Sequence, residues 1–204
     1  MNISRRVAIR ELYPHDRDPL RGFFLSLDQN DRYRRFGRAM TDEAVAAYVD
    51  KLDFADSHVL AAYDRRADLV GVLELAQLPD GGCEIAVVVG QGKRGAGIGK
   101  ALMDRALLKA KVLGCPRVVL LCQVDNQPMR RLARSAGLQS VQADGDVEGR
   151  LELHPANLGE VTEDAAREAV GNATYASLLA TRTWAELFER ALQATRMLVP
   201  QRQG

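Results

Sequence analysis

The stretch from Glu84 to Lys100, EIAVVVGQGKRGAGIGK, limits what this chain can fold into more than any other. Ile85 to Val89 is a short β-branched apolar run, the pattern of a central strand buried on both faces. A loop containing Gly90, Gly92, Gly95, Gly97 and Gly99 follows at once. Glycine takes positive φ without strain and lets backbone approach a ligand that side chains would hold off. Ile98, Leu102, Ala106 and Lys109 then recur at helical spacing, with Ala101, Met103, Leu107 and Leu108 beside them, and Gly114 and Pro116 end the helix. A strand, a glycine turn and a helix in this order gather unpaired N–H groups at the positive end of a helix dipole. That arrangement captures phosphate.

The spacing selects among phosphate ligands. A P-loop ending at Gly99-Lys100 would need glycine at position 94 and Ser or Thr at 101, where Arg94 and Ala101 stand. A dinucleotide fingerprint fits poorly, because Leu120 to Asp125 offers the wrong setting for a ribose-binding acid. The loop does match Arg/Gln-x-x-Gly-x-Gly/Ala, as Arg94-Gly95-Ala96-Gly97-Ile98-Gly99. In this it resembles the coenzyme A pyrophosphate loop of the GNAT superfamily of N-acetyltransferases. The competing reading is a tight glycine turn that holds no ligand.

Composition narrows the class. Lys plus Arg number 28 against 27 Asp plus Glu in 204 residues, so no global field favours nucleic acid or an anionic membrane as partner. The sequence has neither a signal-like apolar segment nor an apolar run long enough to span a bilayer, which leads to the expectation of a cytoplasmic protein. Cys83, Cys115 and Cys122 form no CxxC pair and lie in or beside apolar elements, so reduced core thiols are expected, and no metal site.

In chain order, Val7 to Leu12 reads as a strand. Pro19 to Ser26 reads as a helix with Leu20, Phe23, Phe24 and Leu27 on one face, and Asp31 to Phe36 as a second short helix. The basic cluster of that second helix suits either a solvated face or an anionic ligand. Thr41 caps a third helix. His58 to Tyr63 and Leu69 to Ala76 form a meander with the central strand. Val118 to Cys122 follows the glycine-rich helix and should lie parallel to strand 84–89 by a right-handed crossover. Asn126-Gln127-Pro128 opens a helix with Met129, Leu132, Ala133 and Ala136 inward, and Leu138 to Gln142 and Val147 to Leu153 close the sheet around residues 143–146. The expected fold is α/β (α+β): a mixed, mostly antiparallel sheet of six to seven strands flanked by helices. The expected division is residues 1–154 as the acetyl-CoA-binding unit and 155–204 as a C-terminal helical extension. There Thr162-Glu163-Asp164 should start a helix stopped near Gly171, and the capping box Thr183-Trp184-Ala185-Glu186 a second. Trp184, Leu187, Phe188, Ala191, Leu192 and Thr195 mark one face, to be packed on the sheet, paired in a homodimer, or laid over an acceptor site.

The resemblance spans about Ile3 to Leu153 in element order, and SLDQNDRYRRF, EIAVVVG and NQPMRRLARSAGL look most like acetyltransferase domains of bacterial protein-lysine acetyltransferases. It implies acetyl-CoA as cosubstrate, with Val87, Val88 and Val89 on the pantetheine arm. Arg94, Gly95, Ala96, Gly97, Ile98, Gly99 and Lys100 would take the pyrophosphate, and Asn126 would contact the cofactor or cap its helix. The acceptor it implies is a primary amine, on a small molecule or a protein lysine. Glu84 matches a family glutamate implicated as base, and partial desolvation at the head of an apolar strand would suit that role; the alternative is an edge charge. A backbone N–H near Val87 would serve the oxyanion. The family tyrosine that protonates the leaving thiolate falls on Ala133, so a noncatalytic acyl-CoA-binding module stays open as a second function class.

Overall fold

The computed structural model describes residues 7–143 and 146–198, with side chains for 7–140 and 146–193. Its elements are β1 (Ala8–Leu12), α1 (Arg17–Leu25), α2 (Gln29–Phe36), α3 (Asp42–Lys51), β2 (Ser57–Tyr63), β3 (Leu69–Gln77), β4 (Cys83–Val89), α4 (Ile98–Val112), β5 (Arg117–Gln123), α5 (Gln127–Ser135), β6 (Gln139–Ala143), β7 (Asp146–Glu152) and α6 (Leu158–Leu198). Each strand lies within one residue of its expected bounds. Ile3, and Asp144 and Gly145 of the β6–β7 turn, lie outside the described residues.

The strands form one sheet in the order β1-β2-β3-β4-β5-β7-β6. Neighbours are antiparallel except β4 and β5, which α4 joins as the expected parallel crossover. Alternation along the strands feeds two clusters. Leu73, Leu75, Ile85 and Leu120 pack with Leu102 and Met103 of α4, while Val72 and Val88 pack with Leu20 and Phe24 of α1 and Val45 and Val49 of α3. No helix among the described residues is long and apolar enough to cross a membrane.

Two expectations are corrected. Cys83 and Cys115 are joined in a disulfide with their Cα atoms 6.2 Å apart, and Cys122 alone is free. The crossover brings the head of β4 beside the loop that enters β5, a proximity that the 32-residue separation hides. The second correction is at the C-terminus, where one helix, α6, replaces the expected pair. Gly171 does not stop it: a Cβ there would stand 1.9 Å from the Ile9 carbonyl oxygen, so glycine is what allows the helix to lie against β1. Thr183 bonds back to the Leu179 carbonyl (3.0 Å) within the helix instead of capping a new one.

The contact between α6 and β1 also deals with an exposed sheet edge. The Glu11 N–H, on the outer edge of β1, donates to Glu168 Oε1 of α6 at 3.1 Å. Around it lies a buried charge network. Glu11 binds His58 Nδ1 (2.6 Å) and Lys109 Nζ (2.8 Å), and Arg105 of α4 pairs with Asp164 and with Glu168 at 3.2 Å. Burial works against charge on Glu11, but the bonds from His58 and Lys109 outweigh it and hold the carboxyl below its ordinary range.

The seam can be tested at two points. Alanine is the better helix former by about 1 kcal/mol, yet Gly171→Ala should lower stability in urea by about 1–3 kcal/mol because the methyl meets β1 backbone; a stabilised variant would contradict the docking. The Glu11 contribution is full above the unfolded carboxyl pKa of about 4.3 and is lost as pH falls through the lower folded value. Urea titrations below about pH 4.3 should therefore show a steep loss of stability, shallower in Glu11→Gln.

Candidate functional site

Among the described strands, the one parallel ladder is very short. β4 and β5 pair only at Cys83↔Val118 and Glu84↔Val119. β4 then follows β3 as far as Gly71↔Val89, while β5 follows β7 to Gln123↔Asp146. The two strands part and a cleft of about 380 Å³ opens at the end of β4. Val87, Val88 and Val89 form one wall, and Asn126, Pro128, Met129 and Leu132 at the start of α5 form another. The floor is the loop into α4, through Arg94, Gly95, Gly97, Ile98, Gly99 and Lys100. Ala96 is half-buried and packs on the core instead of lining the cleft.

The loop geometry is that of an anion cradle. Gly95 and Gly97 take φ of 74° and 81°, and Gly97 is the N-cap of α4 with no side chain bonded to the first-turn N–H groups. Those donors belong to residues that line the cleft, at the positive end of the helix dipole. Arg34, Arg35, Lys93, Arg94 and Lys100 also line the cleft, against a single carboxylate, Asp31. A chain of nearly zero net charge has thus concentrated cations at one place, and both loop and lining fit a polyphosphate.

Asn126 has both of its expected parts. It is buried, its Oδ1 accepts the Met129 N–H at 3.2 Å as the cap of α5, and it lines the cleft. Glu84 lies elsewhere. It is half-buried at the closed end of the fork, in the last β4–β5 pair, and does not line the cleft. Ala133, at the position of the missing tyrosine, is buried in the core.

The cleft residues least visible in the sequence come from α2. Arg32 is structural, donating to the carbonyls of Leu25 (2.8 Å) and Leu27 (3.1 Å) and pairing with Asp42. Arg34 and Arg35 face the cleft instead, so a run that reads as one charged face is divided between two jobs. Asp31 is buried and pairs with Arg94, whose Nε also donates to the Val89 carbonyl at 3.1 Å. Arg35 also pairs with Glu74 of β3, and the Tyr48 hydroxyl donates to the same carboxylate while accepting from Arg35 at 3.1 Å. Burial, to which Glu74 adds, pushes the Tyr48 hydroxyl up to about 12. Arg35 stays charged, since Tyr48 and Glu74 outweigh the cost of burying it. The helical period alone could have placed Asp31, Arg34 and Arg35 on one side of α2, but nothing local says which ligand that side meets.

The profile of the Acetyltransferase (GNAT) family matches residues 11–138. The chain belongs to this family. Among solved structures, the GNAT domain of S. lividans PAT is similar at 21% identity and TM-score 0.62, over 71% of this chain and 89% of that one. The alpha-N-protein acetyltransferase RimL in complex with coenzyme A aligns at 18% identity and TM-score 0.59, over 76% of this chain and 98% of that one. Spermidine N-acetyltransferase from Vibrio cholerae, in complex with CoA and spermine, aligns at 15% identity and TM-score 0.56, over 73% and 95%. These likenesses give the GNAT fold. Within it, Gly97→Asp should abolish binding of a pyrophosphate ligand, because the carboxylate would stand among the loop donors and the added Cβ strains a positive φ. Calorimetry with coenzyme A is the check, and unchanged affinity would contradict the cradle.

Proposed function

We propose that the protein moves an acetyl group from acetyl-CoA to a primary amine by direct attack in a ternary complex. The observation that supports this best is the fork: β4 leaves β5 after Glu84, and the resulting cleft ends on the uncapped start of α4. The parted strand turns its free edge along Val87 to Val89 to the amides of a pantetheine arm, once Arg94 has released the Val89 carbonyl. The loop from Arg94 to Lys100 takes the pyrophosphate, and Asn126 positions the arm from the far wall. Arg94 then has to exchange the Val89 carbonyl and Asp31 for phosphate oxygens. Residues 1–154 carry this chemistry, with 155–204 as a helical extension.

The amine must lose a proton before it attacks, since an ammonium with a pKa near 10.4 is no nucleophile at neutral pH. Glu84 is the base in this reading. It shares a sheet face with Ala86 and Val88, and four strand residues span about 13 Å. The proton therefore passes to Glu84 through water, not by direct contact. An N–H of the parted strand near Val87 stabilises the oxyanion. No side chain needs to protonate the leaving thiolate, because a thiol pKa of about 8.5 makes it a tolerable leaving group. Tyr48 is no substitute acid: it is bonded to Glu74 and holds its proton up to about 12. The acceptor is a protein lysine or a small-molecule amine.

The second reading is a noncatalytic acyl-CoA-binding module, favoured by the buried Ala133 and by the distance of Glu84 from the cleft. Release of coenzyme A thiol from acetyl-CoA across a panel of amines and peptides separates the two. Glu84→Gln should keep fold and acetyl-CoA affinity while lowering kcat by about 10² or more, most at low pH. A wild type that binds acetyl-CoA and acetylates nothing is the binding module; an active wild type matched by Glu84→Gln at every pH rejects Glu84 as base.

A further inference from the structure

We propose that the outer face of α6 joins two copies of this chain in an antiparallel, two-fold pair. The helix has two distinct seams. Asp164, Glu168, Gly171, Tyr175, Leu178 and Arg182 dock it to its own sheet, ending at the pair between Arg182 and Asp68 (3.0 Å). About 120° around the helix, by its 3.6-residue turn, runs a second seam of Val170, Thr174, Ser177, Thr181, Trp184 and Phe188. All six are exposed. Their spacing alternates four and three, the repeat that lets one helix pack along another.

The chemistry of this face suits burial. Thr174, Ser177 and Thr181 bond their hydroxyls to the carbonyls of Val170 (2.7 Å), Ala173 (2.9 Å) and Ser177 (2.9 Å). Covering them orphans no polar group, and what they present outward is largely apolar. Trp184 is 73% exposed and Phe188 65%. With Val170, Leu187 and Leu192, also exposed, they offer roughly 500 Å² of apolar surface per chain, near the largest patch a monomer leaves bare. A pair covers about 1,000 Å², the size from which specific interfaces begin.

The same face selects its occupant. Between residues 179 and 193 the helix carries Arg182 and Arg190 against Glu186 and Glu189, so an anionic lipid surface or nucleic acid finds no net positive field. A second copy does find a complement. An antiparallel pair centred on Leu179 sets Phe188 over Val170 of the other copy, Trp184 over Thr174 and Ser177 over Thr181, large residues against smaller ones at the outer steps and two small ones at the centre.

Sedimentation of the full chain over a concentration series tests this. Wild type should show twice the chain mass, and the emission of Trp184, the single tryptophan, should move to the red on dilution. Val170→Arg and Phe188→Glu, each alone, should sediment as one chain with unchanged circular dichroism and unchanged coenzyme A affinity. An equal mixture of the two should recover the pair, since the antiparallel register sets the two introduced charges, opposite in sign, against each other. A wild type of single-chain mass at every concentration overturns the proposal, as does a pair that survives both substitutions. A mixture that stays single overturns the register, and a single-chain wild type that sediments with phosphatidylserine vesicles gives the face to a membrane instead.

Discussion

The structure depends on a ladder that ends early. In an uninterrupted parallel pair, β4 and β5 would exchange hydrogen bonds along their whole length; here two residue pairs form and the strands diverge. Each backbone group left without a partner away from water costs about 1–3 kcal/mol. The parting is tolerated because the strands are held on their other sides, β4 by its full register with β3 and β5 by seven pairs with β7. Met129 and Leu132 of α5 wall the gap, α4 packs beneath β3 and β4, and α5 packs against β5 and β7. The fold thus maintains an open stretch of strand edge inside a sheet, and that stretch lines the cleft.

Charge placement follows from the same opening. The cations around the cleft repel one another, and each is paired with a carboxylate: Arg34 with Asp125, Lys93 with Asp64, Lys100 with Asp104, and, on the two buried carboxylates, Arg94 with Asp31 and Arg35 with Glu74. The two pairs differ in how easily they part. Arg94 is exposed on a loop, whereas Arg35 is stacked among Phe24, Phe36 and Tyr48 with its guanidinium held by Glu74. Arg94 is therefore suited to exchange partners, and Arg35 to set a constant potential.

Much of this was legible in the sequence. The β-branched run, the glycine turn and the amphipathic helix specified strand, crossover and anion cradle together, because each signal is local and they agree. The meander was equally plain from turn residues between apolar runs. The continuity of α6 was not, since Gly171 looks like a stop and Thr183 like a cap; only the Ile9 carbonyl, from the opposite end of the chain, explains the glycine. The Cys83–Cys115 bond was hidden for a related reason, that the crossover creates the proximity. In the cleft, the loop residues and Asn126 were found from motif and cap, but Asp31, Arg34 and Arg35 needed the docking of α2 against β4. Glu84 shows the limit of matching by motif: its position in the strand is as expected, yet the fork places it at the closed end.

Hydrogen exchange on the wild-type chain, with and without saturating coenzyme A, tests the central claim most directly. If the parted edge of β4 and the start of α4 are the binding surface, the ligand should slow exchange selectively at amides of Val87 to Val89 and of Gly95 to Lys100, and leave the α6–β1 seam unchanged. Binding that protects other segments and leaves both of these as they were would contradict it.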